Sequence, residues 1–325
     1  MESKKVNREP LSARQLSVAV MVGGLSWVGT QAGRMDWRWA LAALPVGLVL
    51  GWLLLRRVDR RPLFCGLGGG ALAVLYRVWA VVLMACVLRR AAERIAYTGG
   101  NQMQLGWILL LLALPLVWIG WGKAAAFFRL VEVLWLAMAV ILAALLILMI
   151  PKVHWPYLLS DAGDWKQSFA GMVEVLSVGL FVLPYLYKIE AGEGDRRRGL
   201  TWLAVLGITG VVLTGLTVGV LSPALAGELR DPFLTAVGVL GGTARLEGLV
   251  SALWLLPDLA LAGLLAQSWG CRPRPVIASA LAFGVALTGM DRVLSTGVIG
   301  GVTSALMIFT LLIPSTGEKI VVPFS

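Results

Sequence analysis

The chain has 325 residues, 58% of them hydrophobic and 14% charged, with a mean hydropathy of +0.84. This excludes an ordinary soluble domain, in which about a quarter of residues are charged. It points instead to a helical protein that crosses a membrane several times, each crossing needing roughly 20 apolar residues. The net charge of +10 does not imply a nucleic-acid partner, because the cytoplasmic loops of such proteins collect Lys and Arg.

Ten spans are predicted in an all-α, single transmembrane domain over 1–325. They are 16–30, 37–55, 64–88, 105–121, 125–150, 169–187, 200–221, 246–267, 276–288 and 298–313. The preceding stretch, MESKKVNREPLSARQ, is too charged for a cleavable signal peptide. With the amino terminus inside, seventeen basic residues fall on the cytoplasmic side and nine outside. Both termini are therefore expected to be cytoplasmic. Arg89, Arg90 and Arg94 fall on the wrong side of this scheme, with only Glu93 nearby to balance them.

The first span, VMVGGLSWVGT, carries Gly23, Gly24 and Ser26 in its middle, and the sixth, MVEVLSVGLFVLPYLY, carries Ser177, Gly179 and Pro184. In a membrane a broken helix is tolerated where it lines a cavity. One interrupted helix at the start of each half therefore predicts an inverted five-plus-five repeat, 1–150 and 151–325, with a ligand between the breaks. Unwinding at Gly23 and Gly24 would expose amides to a carboxylate; the alternative is a glycine pair that lets helices pack closely.

Two longer connections, 151–167 and 222–245, mix apolar residues with turn formers and are candidates for partial lids, or for plain interfacial loops. In the eighth span Glu247, Ser251, Trp254, Asp258 and Leu261 recur at helical spacing, so they share one face. A carboxylate exposed to lipid is costly, so this face should point inward. Asp258 is either a contact for a ligand ammonium or a structural partner of Arg77 or a backbone amide. Tyr76, beside Arg77 in the third span, could close a pocket or simply be buried. Arg129, Glu132 and Glu174 read mainly as helix-positioning charges.

No metal or cofactor is expected. His154 is the sole histidine, and Cys65, Cys86 and Cys271 lack paired spacing. No nucleophile-base pair or phosphate loop is visible, so catalysis is not expected. Trp37, Trp39, Trp107, Trp155 and Trp165 fall near span ends, where aromatic belts form.

Several stretches resemble one family, the GerAB-type spore germination proteins, which are membrane subunits of nutrient germinant receptors related to the amino acid permeases. They are LSARQL before the first span, RLVEVLWLAMAVILAALLIL, WPYLLSDAGDWKQSFAGMVEVLSVGLFVLPYL, and RLEGLVSALWLL with Arg245, Glu247 and Trp254. The segment from Gly23 to Trp37 is shorter than is usual there and lacks the common proline. The resemblance implies a LeuT-like fold with helices 1 and 6 broken, and residence in the inner membrane of the spore. It further implies a pocket for an amino acid or similar germinant, an A-type membrane subunit and a C-type lipoprotein as partners. The pocket residues expected are Gly23, Gly24, Ser26, Tyr76, Ser177, Gly179, Trp254, Asp258 and Leu261. Competing functions are a proton-coupled amino acid or amine transporter using Asp258 or Glu174, and a scaffold with a vestigial pocket.

Overall fold

The computed structural model describes residues 13–60, 66–98, 104–160, 164–181, 193–241, 246–269, 274–289 and 296–312. Every regular element among them is helical. In the first half these are α1 (Ala13–Gln31), α2 (Trp37–Arg60), α3 (Gly66–Thr98), α4 (Leu105–Trp121) and α5 (Ala124–Met149). The short α6 (Trp155–Leu159) leads to α7 (Trp165–Phe181) and α8 (Glu193–Leu221). Two short helices, α9 (Pro223–Glu228) and α10 (Pro232–Gly241), precede α11 (Leu246–Gln267), α12 (Arg274–Thr288) and α13 (Thr296–Leu312).

Among the described residues five helices, α2, α3, α5, α8 and α11, are long and apolar enough to cross a membrane, and α4, α12 and α13 are shorter apolar helices. Side chains at the periphery are apolar, as in Leu111, Leu114, Val133, Leu136, Val140 and Ile147. Facing outward in this number, they form the surface that lipid tails solvate. Of the tryptophans expected in aromatic belts, Trp39, Trp107, Trp155 and Trp165 are exposed near helix ends, as are Trp118 and Trp121, whereas Trp37 is half-buried and its indole donates to the Leu158 carbonyl at 3.2 Å.

At the centre stands α1. Every residue from Ser17 to Ala32 is buried, because α5, α7, α8, α10 and α11 pack around it. A helix enclosed on all sides needs no amphipathic stripe, and its residues are apolar all round except for a few polar groups. Around this axis α2 packs on α7 and α8, α3 on α11, α12 and α4, and α13 on α7.

The expected break in α1 is absent: the helix runs unbroken through Gly23 and Gly24. Glycine accepts helical dihedrals, and backbone groups enclosed by other helices are most readily satisfied within their own helix. What the glycines provide is proximity. A Cβ on Gly24 would lie 2.3 Å from Leu206 of α8, and one on Gly23 would lie 3.3 Å from Leu261 and 3.2 Å from Leu264 of α11. The expected break in the sixth span is likewise absent as far as Phe181, with Ser177 and Gly179 both inside continuous helix. Pro184 lies outside the described residues, as do Cys65, Cys271 and Arg245.

The connection containing α9 and α10 folds back onto the bundle, with α10 packed on α11, α8 and α1. After α1, Gly33 is so close to it that a Cβ would sit 2.4 Å from the Ala226 carbonyl oxygen and 2.5 Å from the Pro232 ring. Near it, a Cβ on Gly29 would lie 2.8 Å from the Trp254 indole. Rigid rings and backbone cannot yield as a leucine tip can. Gly29→Ala is therefore expected to lower stability by ~1–3 kcal/mol. Gly301→Ala, which meets nothing within 4 Å, should be neutral or slightly stabilising. Thermal unfolding of both purified variants checks the contrast.

Candidate functional site

Ser26 and Trp27 are neighbours on α1, yet each reaches a different carboxylate across the bundle. The Ser26 hydroxyl donates to Asp258 Oδ1 of α11 at 2.6 Å. The opposite oxygen, Oδ2, accepts from Arg94 Nη1 of α3 at 2.7 Å. Asp258 and Arg94 are both buried, with side-chain exposures of 4% and 2%. A buried charge is stable only when paired and hydrogen-bonded, and here both conditions are met. The guanidinium also reaches Asp231, just before α10, at 3.6 Å. Beside it Arg230 pairs with Glu93 of α3, so the returning segment is tied to α3 by two adjacent ion pairs.

One residue further along α1, the Trp27 indole donates from Nε1 to Glu174 Oε1 of α7 at 2.6 Å. The Arg90 guanidinium lies over the same ring, its Cζ 3.9 Å from the centroid. Arg90 and Arg94 are one turn apart on α3, so they present the same face to α1. The site thus joins α1, α3, α7 and α11 through two carboxylates, two arginines and adjacent residues of one central helix. Among the described residues no group of three or more His, Cys, Asp or Glu could hold a metal.

The inward face predicted on the eighth span is present: Ser251, Trp254, Asp258 and Leu261 are all buried. The side chain of Glu247 lies outside the described residues. Trp254 packs against Phe233 of α10 with ring centroids 4.9 Å apart. Asp258 has Arg94, and not Arg77, as its partner. Glu132 pairs with Arg14 of α1 at 2.9 Å.

Other expected site residues are held elsewhere. Gly179 and Gly24 both face Leu206, so α1, α7 and α8 close together over one leucine. Ser177 shares a hydrogen bond of 3.1 Å with Ser304 of α13. Tyr76 stacks on Phe181 at 4.8 Å and bonds the Thr310 hydroxyl at 2.6 Å. It lies eighteen residues from Arg94 on α3, about 27 Å along the helix, and takes no part in the network around Ser26.

Trp27, Arg90 and Arg94 were not anticipated as site residues. The third apolar run ends near Leu88, which places the arginines in a loop by hydropathy, whereas α3 continues to Thr98. The available signal was their spacing, with Arg90 and Arg94 one helical turn apart and an acidic neighbour between them. Arg89 plays a different part, bonding Glu93 and the Ala286 carbonyl at the end of α12, at 3.0 and 2.8 Å.

A central helix enclosed on all sides, apolar outer faces and a buried charge network define a multi-pass helical membrane protein. No family model matches the sequence, and no curated protein matches it. Among solved structures it is similar to Mhp1, a nucleobase-cation-symport-1 family transporter in a closed conformation with bromovinylhydantoin bound. The TM-score is 0.60 at 13% identity, covering 90% of this chain and 74% of that one. At that identity the likeness shows the fold, which is LeuT-like.

Removing one member of a buried ion pair leaves the other uncompensated. Asp258→Asn is expected to destabilise the chain by ~3 kcal/mol, and Ser26→Ala, which removes one donor, by ~1–2 kcal/mol. Thermal unfolding in detergent measures both; equal effects would mean that Arg94 does not depend on Asp258.

Proposed function

We propose that this chain binds a small molecule among α1, α3, α7 and α11 and is the B subunit of a spore nutrient germinant receptor, with an amino acid or similar germinant as ligand. The observation that carries this reading is the joint attachment of Ser26 and Trp27 to Asp258 and Glu174. Any ligand that alters one of these bonds acts on the central helix directly. A ligand moves such an equilibrium only by its different affinity for two states, and a polar network with discrete partners provides those states. Through Arg94 and Asp231 the change reaches α10. The fold neighbour, a transporter solved with a small molecule bound, and the sequence resemblance to GerAB-type proteins support the reading.

In this proposal α1 and α7 join the eight apolar helices as ten spans, arranged as two inverted halves, 1–150 and 151–325. Both termini are cytoplasmic and the membrane is the inner membrane of the spore. An A-type membrane subunit and a C-type lipoprotein are the partners, and the chain performs no catalysis.

A proton-coupled transporter of amino acids or amines is the second reading. It is favoured by Glu174, a buried carboxylate that accepts a hydrogen bond from a neutral indole; intramembrane carboxylates of this kind serve in proton relays. Spores lacking the chain, tested across a panel of amino acids, are expected to lose the response to one nutrient class; an unchanged response to all would exclude the receptor role. Counterflow of labelled amino acid in proteoliposomes supports the transporter, and saturable binding without counterflow excludes it.

A further inference from the structure

Arg90 has an unusual environment for a cation inside a helical bundle. Among the described residues its short-range contacts are the Trp27 ring and a long hydrogen bond of 3.5 Å to the Thr30 hydroxyl; Glu174, Asp231 and Cys86 act on it only from beyond ion-pair distance. Glu174, 4% exposed, receives a hydrogen bond from the indole edge of the same tryptophan. A positive and a negative side chain are thus both served by one neutral group, which offers its π face to the cation and its N–H to the anion. Gln31, next to this carboxylate and also 4% exposed, has an amide nitrogen that makes no well-formed hydrogen bond. Arg34, another positive charge, acts on both Glu174 and Arg90.

We infer that Trp27 is a built-in stand-in for a zwitterionic ligand, and that Arg90 and Glu174 are the residues that select for it. This deepens the proposed small-molecule site and rests on it. An ammonium replaces the indole N–H at Glu174, and a carboxylate replaces the π face at Arg90. Both exchanges put a full charge where a neutral dipole or quadrupole stood, and charge-assisted hydrogen bonds are roughly twice as strong as neutral ones. Arginine presents two parallel donors to a carboxylate, a geometry that an aromatic face does not use. Gln31 adds a further donor beside the same position. A molecule with one charge makes one exchange only, and leaves the second partner without the indole or a replacement. Displacement of Trp27 releases its side of the α1–α7 attachment, so binding and movement of α1 are the same event.

The test uses the full chain in lipid nanodiscs, dialysed against three mixtures: the twenty common amino acids, primary alkylamines, and alkyl carboxylic acids. Retained compounds are identified by mass spectrometry and their affinities measured. At least one amino acid is expected to be retained in preference to the amines and acids. Arg90→Gln and Glu174→Gln should each weaken it by about tenfold or more, the scale of one charge-assisted contact. Trp27→Phe removes the N–H and has a weaker π face, so it should tighten binding by several-fold, the direction that a merely structural tryptophan would not produce. Arg90→Lys and Glu174→Asp, which keep each charge, should restore part of the affinity and separate loss of charge from loss of folding; Trp27→Tyr, which keeps a donor and an electron-rich ring, should tighten binding less than Trp27→Phe. Retention of amines or acids without amino acids would overturn the inference and leave the small-molecule site standing. So would amino acid binding that Trp27→Phe weakens or leaves unchanged. Retention of nothing from any mixture by the folded chain would remove both.

Discussion

Enclosure of α1 beyond its first turn is the constraint on which the remaining structure depends. From Ser17 to Gln31 every residue of this helix is buried, so each polar group it carries must find a partner on a neighbouring helix or remain unpaired at a cost of a few kcal/mol. Ser26 and Trp27 find theirs on α11 and α7, and those carboxylates in turn need donors or cations. Arg94 answers the first need directly. Arg90 answers the second through the intervening indole. A short polar patch on one central helix thus dictates where charges must stand on three others.

The two halves of this network differ in character. Around Asp258 the pairing is direct, with a hydroxyl and a guanidinium on its two oxygens and a further link from Arg94 to Asp231. Such an arrangement holds register and transmits strain between the core and the segment that covers α1. Around Glu174 the contacts are softer, since an indole edge and face stand between opposite charges. Stiffness on one side and exchangeable contacts on the other suit a helix that must be held yet still respond.

Glycine carries a different meaning here from the one its membrane context suggested. Gly23 and Gly24 were expected to open the helix, and instead they let it close on Leu206, Leu261 and Leu264. The same holds for Gly179, which shares Leu206 with Gly24. Local sequence cannot separate these outcomes, because a missing side chain permits both an unusual dihedral and a short interhelical distance. The neighbours decide which is used, and here large leucines occupy the space.

Composition and periodicity were sufficient to establish a helical membrane protein, the approximate position of its apolar helices, and the inward face bearing Ser251, Trp254, Asp258 and Leu261. These depend on transfer free energy and helical geometry, which act on each segment by itself. Partners were another matter. Asp258 meets Arg94 across 164 positions of sequence, and Trp27 meets Glu174 across 147. No local rule specifies such pairs. The length of α3 had the same status: hydropathy ends the third apolar run near Leu88, because Arg89, Arg90 and Arg94 look like a polar boundary. Only the packed bundle supplies the carboxylates and the indole that make it favourable to carry those arginines inside, where three-dimensional charge pairing outweighs the preference of an isolated segment for water.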